Sequence, residues 1–190
     1  MTKILLINGH PNPEASTAGK AIVDSLMKRR PDVTVHELKA AFGKYGFDAV
    51  AEQEALRVAD VIVWHFPFYW YSVPALMKTW MDTVLTRGFA FGTGGTALHG
   101  KKLVLSFTTG APAEKYVRGG GMGWPVKDFL PPLMQTARLC GMEMLTPIWT
   151  CGAMYIPGVS TEDDLRRIRE AADSHAERLL AEIESTEKNV

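Results

Sequence analysis

The chain has 190 residues, a length at which one domain can bury a sizeable core without disulfides or metals. It is 46% apolar and 22% charged, and 21 basic residues balance 21 acidic ones. That balance excludes the global positive field that draws a protein to nucleic acid or an anionic membrane.

The opening "MTKILLINGHPNPEAS" has a short apolar run but no basic region leading into a long apolar core, so it predicts a first strand (Lys3–Asn8) and not a signal peptide. A helix follows over Ser16–Arg30, with a Ser/Thr start. "VTVHEL" (Val33–Leu38) alternates like a strand near a sheet edge, and Ala51–Ala59 is a short amphipathic helix. Asp60–Phe66 is apolar enough for a central strand. Pro74 suits the first turn of a helix running to Leu85, whose Leu76, Trp80, Met81 and Leu85 trace one face. A Gly-rich loop leads to a fourth strand, Lys102–Thr109, and a second leads to a helix within Val126–Gly141 that Pro131 and Pro132 disturb. In the fifth strand, Glu143–Thr150, Pro147 argues for an edge or a bulge. Ser160–Ser185 is a long charged amphipathic helix with a capping-box start.

The longest uncharged run, Val61–Met77, is short for a bilayer span and is broken by Pro67 and Pro74. Cys140 and Cys151 lie eleven apart, which matches neither a zinc spacing nor a redox CxxC, so no metal site is expected. Two buried, unpaired thiols suit a reducing compartment, and the expected location is the cytoplasm.

Alternating strands and helices predict an α/β fold: a doubly wound five-stranded parallel sheet, order 2-1-3-4-5, helices on both faces, in a single domain over residues 1–190. In that arrangement ligands bind where the winding reverses, at the carboxyl ends of strands 1 and 3. Function is therefore expected in the loops after Asn8, Phe66 and Thr109.

The first loop, "NGHPNPEASTAGK", runs straight into a helix that opens with Ser16 and Thr17. Unpaired amides at such a start hold phosphate, with His10 and Lys20 as nearby positive charge; the same two hydroxyls equally serve as a plain helix cap. The loop is neither GxxxxGK[ST] nor GxGxxG. The second, within "PFYWYSVPALMKTW" (Pro67–Trp80), packs five aromatic residues and two prolines into fourteen positions. Aromatics at Phe68–Tyr71 supply a flat wall for a planar ring, whereas Trp80 reads as core. The third, "TTGA" (Thr108–Ala111), allows close backbone approach and carries Tyr116. A phosphoacceptor receiver would need acidic residues after strand 1 and an Asp at the end of strand 3, where this chain has "NGHPNPE" and "FPFYWY"; a low-molecular-weight phosphatase would need a first-loop cysteine, and there is none. An aromatic-lined pocket beside a phosphate-binding helix start points to a flavin.

Together "GHPNPEAST", "AEQEALRVADVIVWHFPFYWYSVPALMKTWMD", "GFAFGTGGTALHGKK" and "TTG" resemble the flavodoxin-like NAD(P)H:quinone oxidoreductases, the DT-diaphorase family, and within it the small ancillary proteins of bacterial glutathione-gated potassium efflux systems. The resemblance implies a flavin phosphate held by His10, Ser16, Thr17, Ala18 and Gly19. It implies an isoalloxazine held by Pro67, Phe68, Tyr69, Trp70 and Tyr71 and completed by Thr108, Thr109, Gly110 and Ala111. Amides near Phe68–Trp70 and Thr109–Gly110 would meet the charge of the reduced ring, and Tyr116 would donate a hydrogen bond to the ring or acceptor. Phe129, Trp124 and Tyr155 are candidate pocket-lining residues. The implied reaction is ping-pong hydride transfer from NAD(P)H to a quinone, in a homodimer; the alternative is a flavin-binding regulatory subunit of a membrane antiporter. A short connection after strand 2 favours FMN, with FAD left open. Two departures stand out: Gly19 replaces an Asn that many members carry, and Met122 replaces a His six residues after the Tyr.

Overall fold

The computed structural model describes residues 2–187. Every residue of β1 (Ile4–Asn8) and of β3 (Val61–Pro67) is buried, and β4 (Lys102–Thr108) is buried after its first residue. Such unbroken apolar runs are what a parallel sheet covered on both faces requires. The strand β2 (Thr34–Glu37) is only partly covered and lies at the edge. All pairings are parallel, in the order β2-β1-β3-β4-β5, with β5 at Glu143–Met144. This is the order that the alternating pattern predicts.

The expected fifth strand is split. Its second half, β6 (Ile148–Thr150), pairs with the other end of β4. Three positions separate Leu103 from Ser106 on β4, whereas four separate their partners Met144 and Ile148. The additional residue is a bulge over Leu145–Pro147, where Pro147 has no N–H to give the ladder.

Helices α1 (Thr17–Arg29) and α6 (Glu162–Ser185) cover one face, where Leu26, Leu179 and Ile183 pack on Leu6, Val63 and Val104. The other face lies under α2 (Leu38–Ala41), α3 (Ala49–Val58), α4 (Ala75–Val84) and α5 (Pro131–Leu139). There Leu38, Leu56, Trp80 and Leu133 pack against Ile7, Trp64 and Leu105. The buried stripe of α4 is Met77, Trp80, Met81 and Val84; Leu76 and Leu85, expected on it, only flank the core. Trp80 meets Trp64 edge-on, and its Nε1 donates to the buried Glu52 Oε2 at 2.8 Å, so the indole is core, as its helical phase predicts. The capping box of α6 is Thr161 with Asp164, one residue later than the expected Ser160 start. Cys140 is buried and Cys151 half-buried, and both are free. Among the described residues no helix is long and apolar enough to cross a membrane, and no His/Cys/Asp/Glu group could hold a metal ion.

Candidate flavin site

The carboxyl ends of β1, β3, β4 and β6 border a cavity of ≈ 410 Å³. Its first wall begins where Asn8 ends β1. The Asn8 side chain donates to Glu37 Oε1 at 3.0 Å and accepts from the His10 amide at 3.2 Å, while the Gly9 amide donates to His65 O at 2.8 Å. A 3-10 turn over Pro13–Ala15 then delivers Ser16 to the N-cap of α1. Its backbone has the extended cap geometry (φ -81, ψ 106), yet no side chain caps the helix. The first-turn amides of α1 therefore face the cavity with no side-chain partner, as an anion site needs. Gly19 permits this packing: a Cβ there would lie 2.6 Å from Ser16 Oγ and 3.3 Å from His65 Nε2.

The second wall is the aromatic loop. The Phe68 amide donates to Thr108 O and the Tyr69 amide to Pro67 O. Ser72 N then closes a tight turn on Tyr69 O at 3.0 Å, with Trp70 (φ 51) and Tyr71 (φ 63) both left-handed. Hairpin turns with two such residues favour Asn and Gly; two aromatics there store of order 1–3 kcal/mol each. The Trp70 side chain is 92% exposed, so it gains nothing from packing. Trp70→Gly should raise stability by about 1 kcal/mol, read as a higher midpoint in thermal unfolding of the cofactor-free protein.

The third wall follows β4. The Thr109 amide donates to Thr150 O and Thr109 Oγ1 to Ala111 O. A fourth wall had no signal in the sequence as a cofactor wall. After β6 the chain runs beside the third loop, through Gly152 N to Ala111 O and Ala153 N to Thr109 O, each 2.9 Å, and brings Ala153, Met154 and Tyr155 onto the cavity.

Of the residues predicted for the site, His10, Ser16, Thr17, Ala18, Gly19, Pro67, Phe68, Tyr69, Trp70, Thr108, Thr109 and Gly110 line this cavity, and so does Tyr155. Tyr71, Ala111 and Tyr116 do not. Tyr71 turns away to stack on Phe129 at 4.9 Å between centroids, with its hydroxyl 3.9 Å from Met122 Sδ. Ala111 is engaged by the strand-like segment at Gly152. Tyr116 is buried in the core behind Thr109, and burial pushes its hydroxyl pKa up. Its hydroxyl meets the side chain of Thr109, which lines the cavity, so Tyr116 adjoins the site from behind that wall. Trp124 is half-exposed under the Arg118 guanidinium, which lies 4.6 Å from its ring.

The charge pattern also departs from expectation. Among the described residues no Asp, Glu, Lys or Arg lines the cavity. Desolvation lowers the pKa of His10, and the Asn12 amide donates to its Nδ1 at 3.0 Å, so the ring faces the site neutral. Lys20 lies 3.6 Å from Asp24 on its own helix. An anion here would be held by neutral donors: amides, hydroxyls and the His10 ring N–H. The ring-side amides change too: those of Phe68, Tyr69 and Thr109 are spent within the protein, whereas those of Trp70, Tyr71 and Gly110 find no acceptor among the described residues. Phe68 forms an aromatic floor, continued inward by Phe107 at 5.2 Å and Phe66 at 5.3 Å from Phe107. These features fit a mononucleotide flavin: a phosphate cradle, an aromatic floor and open donors at one rim.

A buried polar row lies beneath the cradle. His65 Nδ1 is 2.9 Å from Ser106 Oγ, which is 2.9 Å from His175 Nε2, and Thr150 Oγ1 is 2.9 Å from His175 Nδ1. Arg178 donates to Thr150 Oγ1 at 3.2 Å from the surface. Burial holds both imidazoles neutral, with the His65 pKa lowered to about 4.

A sheet wound in this order, with its cavity at the winding reversal, defines the flavodoxin-like class, and the chain belongs to it: the flavodoxin-like fold family matches residues 2–179. Among its relatives, the glutathione-regulated potassium-efflux system ancillary protein KefF of Salmonella typhimurium is 40% identical over 178 residues, 94% of this chain and 96% of KefF. The general stress protein 14 of Treponema denticola, solved in complex with FMN, is 35% identical, covers 94% of this chain and 98% of its own, and superposes with a TM-score of 0.83. An NADPH-quinone reductase from P. pentosaceus is 29% identical, with a TM-score of 0.73 over 93% of this chain and 98% of its own.

Proposed function

We propose that the protein is an FMN-dependent NAD(P)H:quinone oxidoreductase. The observation that carries this is one cavity joining the uncapped start of α1 to the Phe68 floor and the open amides of Trp70 and Gly110. Bound there, FMN would supply two-electron chemistry between NAD(P)H and a quinone in a ping-pong cycle. The protein's part is to position and to stabilise. The α1 amides with Ser16 and Thr17 hold the phosphate, Phe68 supports the ring, and the open amides donate to the rim where negative charge develops. FMN, and not FAD, is supported by the FMN complex of the 35% identical neighbour. The proposal includes a single-domain cytoplasmic protein acting as a homodimer.

Similarity to KefF favours a second role, as a flavin-binding regulatory subunit docked on a membrane antiporter. An anaerobic visible spectrum tests the first reading. FMN peaks should bleach with NAD(P)H and return with a quinone. A bound flavin that no nicotinamide nucleotide bleaches would overturn catalysis and leave the regulatory role, which co-purification with an antiporter's cytoplasmic domain then tests.

A further inference from the structure

His65 on β3 and Ser106 on β4 are register partners, and both point to the face covered by α1 and α6. Along that face the sheet is apolar through Val63 and Val104, then turns polar one step before the strands end. The switch coincides with the first turn of α1, where the His65 Nε2 edge abuts the bare Cα of Gly19. A fully buried polar row in this position is costly unless each member is bonded, and here each has a partner.

Ser106 Oγ bridges His65 Nδ1 and His175 Nε2, and Thr150 Oγ1, which accepts from Arg178, holds His175 Nδ1. With Nδ1 so held, the His65 ring presents its Nε2 edge to Gly19. The row thereby fixes the orientation of the imidazole on which the cradle rests.

We propose that His65 and Ser106 are positioning residues for the phosphate: through Gly19 they set the height of the α1 first turn, and His175 and Thr150 hold them in place. The cavity has no charged side chain to compensate for a misplaced amide, so phosphate binding depends on that turn. The inference rests on the FMN reading. Loss of the Ser106 hydroxyl frees the His65 ring to rotate, and the amides above it lose their alignment.

The test compares FMN with riboflavin, which lacks only the phosphate, by titrating each into the cofactor-free protein. Wild type should prefer FMN strongly. Ser106→Ala should lower that preference about tenfold while leaving riboflavin affinity nearly unchanged, and Ser106→Thr, which keeps the hydroxyl, should restore it. A merely structural role would weaken both flavins equally and leave their ratio fixed. An unchanged ratio in Ser106→Ala, or in the near-isosteric Thr150→Val should the alanine variant not fold, overturns the assignment. A wild type that binds neither flavin overturns the function itself.

Discussion

Gly19→Ala is expected to lower FMN affinity by tenfold to a hundredfold while stability changes by less than about 1 kcal/mol. In most helices the same change is mildly stabilising, because Ala loses less backbone entropy than Gly. Here the new methyl would lie 2.6 Å from Ser16 Oγ, and only that hydroxyl can move cheaply. Its rotation takes a donor out of the phosphate cradle, and the methyl also presses on His65 Nε2 from 3.3 Å. Fluorescence titration with FMN and thermal unfolding of the same cofactor-free sample separate the two effects. Equal affinity in variant and wild type would mean that phosphate is not held at this turn. The family resemblance places Asn here in many members. In this chain the space on either side of Gly19 is filled by a serine hydroxyl and an imidazole instead.

Acid should destabilise the protein well before its carboxylates protonate. Burial lowers the His65 pKa to about 4 and that of His175 well below its ordinary 6.5. In the unfolded chain both bind a proton near pH 6.5, whereas the folded state refuses it. Stability is thus full above pH 6.5 and declines as pH falls from there toward 4. His65 alone accounts for about 2 kcal/mol at pH 5. His36 works in the opposite sense, since its bond to Glu52 raises its pKa and favours the folded state at lower pH. Urea midpoints at pH 7.5 and 5.0 should differ clearly in wild type and less in His65→Gln. Equal shifts in both would show that His65 is not the proton acceptor.

The sheet was legible because its strands are unbroken apolar runs. Pro147 announced the discontinuity of the last one, although not that both pieces would pair with β4. Three of the four cavity walls were legible as loops at the winding reversal, since glycines and aromatics clustered there. In the wall from Ala153 to Tyr155 only Tyr155 was singled out, because that wall depends on amide bonds to Thr109 and Ala111 made after the bulge. The side of the wall on which Tyr116 lies was not legible, because a place in a loop says nothing about which way a ring turns. The polar row escaped for a different reason. "VIVWHFP" and "KLVLSFT" share a polar residue at the fifth position, and only register makes the two neighbours. A strand-by-strand comparison of such positions would have exposed the pair.

The bulge at Leu145–Pro147 also shapes how copies of this chain can meet. An open edge of backbone N–H and C=O groups invites another strand to extend the sheet, the first step toward aggregation. Here one border is the four-residue β2, and the other is interrupted between a two-residue and a three-residue piece. Neither offers a continuous template, so self-association by sheet extension is disfavoured. Any stable pairing of subunits is left to helix faces and loops, among them the exposed aromatic loop at the rim of the cavity.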